Sequence, residues 1–245
     1  MARRAPDTRL QELNEAATTV FIAQGYQRTQ MADVAAAMGV AKGTLYLYVE
    51  SKDALFDFAL RQADATGPLV PPPSLPLRTP PSGRTVRYVR ERLVGEPASP
   101  SLQTALLTEG ARHSPREVET ILRELYRAMA RNRTGIKLVD RCAADYPELA
   151  KVWFSVGREG LLAQLTQYLE LGIRGGWLRA VPDVGAAARL VLETLVFWAV
   201  HRHWDPSPQP LDPRGAEDTV VQMLTRALVD DGPVELLLGS GGRQL

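Results

Sequence analysis

The sequence predicts an all-α protein in which a small helical domain precedes a larger one. Apolar residues recur at the spacing of helix faces along most of the chain, and no stretch shows the sustained period-two alternation of a half-buried strand. Seven of the seventeen residues in 67–83 are proline, which fixes φ and removes backbone donors, so no helix crosses this segment. We therefore predict domains at 7–66 and 84–230, a linker at 67–83 and a tail at 231–245.

Four helices are predicted before the linker. The first covers 7–24. The second begins at a Thr29 cap and stops at Gly39, because glycine accepts φ > 0 without steric cost. The third covers 41–48, and the fourth begins after a Ser51 cap.

Longer helices are predicted after the linker. Their apolar spacing and flanking prolines place them at 84–94, 101–112, 115–144, 147–174, 184–203 and 216–229. The tail ends in LLLGSGGRQL, whose glycines do not open a helix after a strand, so it is not predicted to be a phosphate-binding loop.

Composition excludes several classes of protein. With 45% apolar and 23% charged residues, the 245-residue chain is neither disordered throughout nor collagen-like. No run approaches the roughly eighteen apolar residues of a membrane span. Cys142 is the single cysteine, and the opening MARRAPDTRLQ lacks an apolar core, so we expect a reducing cytoplasmic location. The net charge is +1, and residues 1–66 carry seven basic and eight acidic side chains, so charge alone does not indicate nucleic acid.

Residues 30–49 combine a short helix, a tight turn and a second short helix. Ala35 is small where the second helix must cross, and Gly39 suits the left-handed turn. Val34 and Leu45 would form part of the apolar wedge between the two helices. The pattern predicts a helix-turn-helix, which projects its second helix into the roughly 12 Å wide major groove of B-DNA.

The predicted second helix has one side free for DNA, because Leu45 and Val49 turn inward. The candidates for base contacts are Lys42, Gly43, Thr44, Tyr46 and Leu47. Lysine can donate to guanine, threonine can bond either strand, tyrosine and leucine can touch thymine methyl groups, and glycine lets the backbone approach. The candidates for phosphate contacts, which set register without reading sequence, are Thr29, Gln30, Tyr48 and Lys52, with Arg3, Arg4 and Arg9 as weaker additions.

The segment TQMADVAAAMGVAKGTLYLYVESKDALF, residues 29–56, resembles the DNA-binding domain of TetR-family transcriptional regulators. The likeness covers residues 7–65, and this chain departs from the family pattern at Gln30 and Val49. The resemblance implies a homodimer with an amino-terminal DNA-binding domain and a larger helical domain that binds a ligand and dimerises. An alternative is a three-helix core in which the glycines and threonines only cap and turn.

The resemblance also assigns roles within the second domain. It implies that the last two long helices, 186–203 and 216–229, pack against their copies across a two-fold axis, which suits a near-palindromic operator. Burial within one chain is the alternative. The candidates for an apolar effector site are Trp153, Phe154, Trp177, Glu193 and Trp198, with His113, Arg158 and Glu159 as further polar groups. Most large aromatic residues are simply core, so this alternative also stays open.

Other features indicate no catalytic or metal chemistry. We find no GxSxG, HExxH, P-loop or dinucleotide motif, and expect no cofactor. His201 and His203 lie two apart on a predicted helix and so point in different directions. The charged ladder at Arg116, Glu119, Arg123, Arg127 and Arg131 is typical of a solvated face.

We therefore predict a sequence-specific DNA-binding transcriptional regulator, a repressor released by a small-molecule effector and not an enzyme. The first alternative is a helix-turn-helix protein that acts without a ligand, either architectural or controlled by a partner. A filled second core without a cavity would favour it. The second alternative is an all-helical enzyme, which would need titratable residues that converge in a cleft.

Overall fold

The computed structural model describes residues 6–65, 72–95, 97–108 and 114–229. Arg3, Arg4, His113, the predicted tail 231–245 and part of the predicted linker lie outside these ranges. Within them the chain is helical, and two isolated bridges are the only β pairing, so the predicted all-α class is confirmed. None of the helices in the described ranges is both long and apolar enough to cross a membrane.

Four α-helices precede the proline-rich segment and eight follow it in the described ranges. The first four are α1 (Pro6–Gln24), α2 (Met31–Ala37), α3 (Lys42–Leu45) and α4 (Lys52–Gln62). The next four are α5 (Arg84–Gly95), α6 (Pro100–Leu107), α7 (Pro115–Arg131) and α8 (Arg133–Ala143). The last four are α9 (Pro147–Ala150), α10 (Gly160–Arg174), α11 (Val184–Ala199) and α12 (Pro213–Leu228). The predicted Ser51 cap is confirmed, since its hydroxyl accepts the Ala54 N–H at 3.1 Å.

Three predicted long helices are interrupted. The helix predicted over 115–144 breaks at Asn132, whose side-chain amide donates to the Ala128 carbonyl at 2.9 Å and so competes with the backbone. The helix predicted over 147–174 contains a π-helical stretch, Lys151–Glu159, between α9 and α10. The helix predicted over 184–203 ends at Ala199 and continues as a 3₁₀ turn, His201–Trp204.

The first hydrophobic core extends beyond the amino-terminal helices. Side chains from α1 to α4, such as Leu13 and Phe56, pack with Leu138 and Cys142 of α8 and Leu149 of α9. Cys142 is buried, and burial raises the pKa of its thiol, so it is an apolar core residue rather than a reactive thiolate. The proline-rich segment thus divides the chain in sequence, whereas α8 and α9 complete the core of the first domain.

The second core joins α6, α7, α10, α11 and α12. At its edge, Arg123 of α7 binds Glu217 at 3.0 Å and Asp218 at 2.6 Å, and Arg127 binds Glu217 at 2.7 Å. The prediction that this charged ladder is simply a solvated face is therefore wrong for Arg123 and Arg127. These two arginines connect α7 to α12 because Glu217 and Asp218, in the second turn of α12, lie opposite them.

Two carboxylates fasten α8 to the amino-terminal helices. Asp64, after α4, accepts the Thr134 N–H at 3.0 Å and the Gly135 N–H at 2.8 Å, at the amino end of α8. Burial raises the pKa of Asp64, and the two N–H donors oppose that shift. Such contacts satisfy helix-terminal donors that have no partner within the helix.

The second carboxylate, Asp145, lies just beyond the carboxy end of α8. It accepts the Tyr26 N–H at 3.0 Å and the Gln27 N–H at 3.1 Å, in the turn between α1 and α2. Gly25 ends α1 there with φ of +84°, and a Cβ at this position would come within 2.8 Å of the Asp145 carboxylate. Position 25 therefore requires glycine for two reasons, which are its backbone conformation and the close approach of Asp145.

We predict that Asp145→Ala lowers the free energy of unfolding by about 2 kcal/mol, because two backbone donors lose a charged acceptor. Urea unfolding followed by circular dichroism measures the change. Glu170→Ala, on an exposed position of α10, is the matched control and should cost less than about 0.5 kcal/mol. Equal stabilities for the two variants would contradict the role assigned to Asp145.

Candidate nucleic-acid interface

Helix α3 rests on α2 through a tight turn. Gly39 adopts φ of +65°, and the Val40 N–H donates to the Ala35 carbonyl at 2.9 Å. Val34 and Leu45 are fully buried between the two helices. The predicted left-handed turn and apolar wedge are therefore present in the structure.

The side of α3 that faces away from α2 is open. Lys42, Gly43, Tyr46 and Leu47 are exposed, with Leu47 at 67%, and Thr44 is half-buried at the edge. A Cβ placed on Gly43 would meet no protein atom within 4 Å, so packing within this chain does not require glycine there. The five residues predicted to contact bases thus lie together on one accessible surface.

The second helix of the motif is shorter than predicted over 41–48. Only Lys42–Leu45 is α-helical. The chain then tightens, since the Leu47 N–H donates to Thr44 at 3.2 Å and the Tyr48 N–H to Leu45 at 2.9 Å, each three residues back. The predicted outward direction of Tyr46 and Leu47 survives this change.

The structure corrects the predicted role of Thr29. Its side chain is only 2% exposed, and its hydroxyl donates to the Gly25 carbonyl at 2.6 Å. The residue before α2 is Gln30, whose N–H donates to the Asp33 carboxylate at 2.9 Å. The predicted Thr29 cap is therefore wrong by one residue, and its hydroxyl faces the protein rather than a phosphate. Gln30 is exposed at the amino end of α2, as a phosphate contact would require.

Lys52 is engaged within the domain. Its ammonium donates to the carbonyls of Tyr26 at 3.0 Å and Gln27 at 3.2 Å and lies 4.6 Å from the centre of the Tyr26 ring. The Tyr26 hydroxyl in turn bonds to Asp53. The α1–α2 turn is thus held by Lys52 through its carbonyls and by Asp145 through its N–H groups. Tyr48 is half-buried against the first core, and Arg9 binds Glu12 on α1 at 2.8 Å.

Residues 77–79, which we call the strap, bind the end of the helix-turn-helix. The Leu77 N–H donates to the Tyr48 carbonyl at 2.8 Å, and the Glu50 N–H donates to the Leu77 carbonyl at 3.0 Å. The Glu50 carboxylate accepts the Thr79 N–H at 2.9 Å and binds Arg78, and both contacts lower its pKa. The strap therefore binds the helix-turn-helix of its own chain, which we also call the recognition motif. The sequence did not predict this contact.

The structure does not bring the five predicted effector residues together. Trp153 donates from its ring nitrogen to Asp140 at 3.0 Å and, with Phe154, packs on the first core. Trp177 contacts the Tyr168 ring and Trp198 packs on the second core. Glu193 binds Arg189 at 2.6 Å and also Arg158.

The second core is nearly filled. Its internal cavity measures about 10 Å³ and is lined by residues that include Val118, Ile121, Leu165 and Tyr168, and by none of the five predicted effector residues. That volume suits one water molecule at most, whereas ligand pockets span roughly 300–1,000 Å³. The five predicted effector residues therefore do not line this cavity, and their role in effector binding stays a prediction.

The two histidines near the end of α11 face cations. His201 lies 3.5 Å from the Lys137 ammonium, and His203 lies 2.8 Å from the Arg133 guanidinium. Burial and these neighbouring charges lower the pKa of both histidines. In the described ranges no group of three histidine, cysteine, aspartate or glutamate side chains has the geometry to hold a metal ion.

Comparison with known sequences finds a family match within the amino-terminal domain. Residues 13–58 match the sequence model described as bacterial regulatory proteins, tetR family. This match covers the carboxy-terminal part of α1, the whole helix-turn-helix and the first half of α4. Among curated proteins, no sequence matches the chain.

Comparison with solved structures extends the likeness to the whole chain. The ketosteroid transcriptional regulator KstR2 of Mycobacterium tuberculosis is 16% identical, with a TM-score of 0.52 over 94% of this chain and 99% of that one. The TetR-family regulator PfmR from Thermus thermophilus is 21% identical, with a TM-score of 0.50 over 94% and 100%. A regulatory protein in the tetR family from Rhodococcus RHA1 is 17% identical, with a TM-score of 0.52 over 92% and 98%. At these identities the comparison establishes the fold, and the predicted resemblance is confirmed.

Proposed function

We propose that this chain, a TetR-family transcriptional regulator by its amino-terminal domain and its fold, recognises a specific operator in the cytoplasm as a homodimer. The observation that carries the proposal is the open side of α3, where Lys42, Tyr46 and Leu47 stand exposed on a buried apolar support. A protein gains nothing for its own stability from holding Leu47 in water at this position. Contact with DNA would cover it.

The proposed reading of DNA uses two groups of side chains. Lys42 donates to a guanine edge, Thr44 bonds either strand, and Tyr46 and Leu47 contact thymine methyl groups, while Gly43 lets the backbone approach. Gln30, Tyr48 and Lys52 set the register on the phosphates. For Lys52 this contact is shared with the turn carbonyls it already holds. Thr29 contributes by fixing that turn rather than by touching DNA.

The proposed dimer interface is the outer face of α11 and α12. Leu190 is 64% exposed, Met223 is 68% exposed, and Phe197 is also exposed, so burial within one chain does not account for them. An apolar face of this kind on two neighbouring helices suits an isologous four-helix contact. Two copies related by a two-fold axis would present two α3 helices to half-sites one helical turn of DNA apart, or a multiple of it.

We further propose that the regulator is a repressor released by a small-molecule effector. The contacts of Asp64 and Asp145 between α8 and the amino-terminal helices support this proposal, because a change in the second domain that moves α8 would also move the α1–α2 turn. An effector needs only a preference for one of two such arrangements. Because the cavity in the second core measures about 10 Å³, an effector that binds inside this core would need a more open arrangement.

A second candidate function is favoured by the same filled core. A helix-turn-helix protein that acts without a ligand, either architectural or controlled by a partner, needs no cavity inside its second core, and the cavity described there measures about 10 Å³. The two candidates agree on DNA binding and differ only in whether a small molecule changes it.

Selection of bound fragments from random DNA tests the DNA-binding proposal. We expect a near-palindromic site, and we expect Lys42→Ala to relax the preference at one position of each half-site at a cost of about 1–3 kcal/mol. Lys151→Ala, on an exposed position outside the proposed interface, is the control and should select the same site as the unchanged protein. Failure of the unchanged protein to enrich any sequence at low salt would refute the proposal.

A charged substitution on the outer face of α11 tests the proposed dimer interface. We expect Leu190→Glu to produce monomers in sedimentation velocity, because it buries a carboxylate against its copy, and to weaken operator binding through loss of the second half-site. Leu107→Glu replaces a leucine of α6 that is 84% exposed and should leave the dimer intact. A dimer that tolerates Leu190→Glu would place the interface elsewhere.

A library of small apolar compounds, screened by thermal shift, separates the two candidate functions. We expect at least one compound to raise Tm and to lower affinity for the selected operator, because it binds an arrangement that holds DNA poorly; at 100 times its Kd it would add about 2.7 kcal/mol of stability. Compounds that raise Tm and leave the operator complex unchanged would instead favour regulation without an effector.

A further inference from the structure

The amino-terminal domain carries less positive charge than DNA-binding domains usually have. Residues 1–66 carry seven basic and eight acidic side chains. Binding to DNA draws much of its free energy from arginine and lysine side chains that neutralise phosphates and release counterions. The next described segment, residues 72–95, carries five arginines and a single acidic residue, Glu91.

The strap brings the first of these arginines to the recognition motif. Its main chain pairs with Tyr48 and Glu50, so Arg78 lies directly beside the end of the segment that follows α3. The Arg78 side chain is 76% exposed although one of its terminal nitrogens binds Glu50. A guanidinium has five N–H donors, so this single ion pair leaves capacity for a second acceptor. The ion pair also offsets a carboxylate that would otherwise repel a nearby phosphate.

Helix α5 continues from the strap along α4. The Thr85 hydroxyl donates to Asp57 at 2.8 Å, and one turn later the Arg61 guanidinium lies 4.2 Å from the centre of the Tyr88 ring. The Arg61 guanidinium also binds Asp57 at 2.8 Å, so these side chains form one cluster that fastens the first turn of α5 to the middle of α4. Arg84 follows Thr79 of the strap by five residues, so the amino end of α5 is the end nearer the strap along the chain.

Position along α5 separates its arginines by their distance from the strap. Arg84 is the first residue of α5 and is exposed at the end nearer the strap. Arg90 is also exposed but lies six residues further, which is about 9 Å along the helix axis. The two arginines thus share a helix and differ in their distance from the strap.

We propose that the strap and the first turn of α5 form a second DNA-binding element, in which Arg78 and Arg84 bind phosphates beside the groove that α3 occupies. The inference rests on the proposed function. These contacts are with the phosphate backbone of DNA, so they raise the affinity for DNA and its dependence on salt without reading the base sequence.

The experiment measures the affinity for the selected operator over a range of salt concentrations. We expect Arg78→Ala and Arg84→Ala each to reduce the slope of log K against log salt by about 1.8, because the homodimer loses one phosphate contact in each half-site, so that the affinity gained between 200 and 50 mM salt falls about twelvefold. The ranking of operator variants should not change. Arg90→Ala, which removes the same charge from the same helix, should keep the slope of the unchanged protein.

A charge-retaining variant separates phosphate contact from a purely structural role of the strap. Arg78→Lys weakens the geometry of the Glu50 pair but keeps the positive charge, so its slope should stay close to that of the unchanged protein. A purely structural role would lower affinity at all salt concentrations and leave the slope of Arg78→Ala unchanged. Urea unfolding confirms that each variant is folded.

The outcomes distinguish this inference from the proposed function. If the unchanged protein binds its operator while Arg78→Ala and Arg84→Ala keep its full slope, the inference is wrong and the proposed function stands. An equal loss of slope in Arg90→Ala would also overturn it, because the effect would then reflect net charge. If the unchanged protein binds no duplex, the proposed function itself fails.

Discussion

The position of the helix-turn-helix depends on two carboxylates that hold α8 against the amino-terminal helices. Asp64 binds the first N–H groups of α8, and Asp145 binds the N–H groups of the α1–α2 turn. Lys52 holds the carbonyls of the same turn, so both sides of its peptide groups are fixed. Helix α2 starts four residues after Gln27 of this turn, and α3 rests on α2. The orientation of both helices therefore follows the orientation of α8.

Local chemistry made much of this arrangement predictable. The left-handed turn at Gly39, the Ser51 cap and the inward direction of Leu45 follow from rules that act over a few residues, and the structure contains all three. The same rules placed Lys42, Tyr46 and Leu47 on the exposed side of α3. Periodicity was sufficient there because the motif is short and each position has a separate steric requirement.

The features that the sequence did not reveal have two kinds of cause. One is local: threonine is the preferred cap by residue type, but the Thr29 hydroxyl donates to the Gly25 carbonyl four residues earlier, and Gln30 precedes α2 instead. The other is a partner distant in the chain. The strap pairs with residues 28 or 29 positions earlier, and no periodic pattern reports such a pairing. The aromatic residues Trp153 and Trp198 belong to different cores, which composition alone cannot distinguish.

The contribution of α8 and α9 to the first core limits how this protein can be recombined with its relatives. Part of the apolar side of α1 is covered by residues more than a hundred positions later, so a fragment that ends at the proline-rich segment would leave that part in water. The unit that can be exchanged as a whole is discontinuous and comprises the amino-terminal helices together with α8 and α9. A chimaera that transplants only the contiguous amino-terminal part would therefore inherit a foreign surface under α1, and its operator recognition would depend on how well the recipient's α8 fits there.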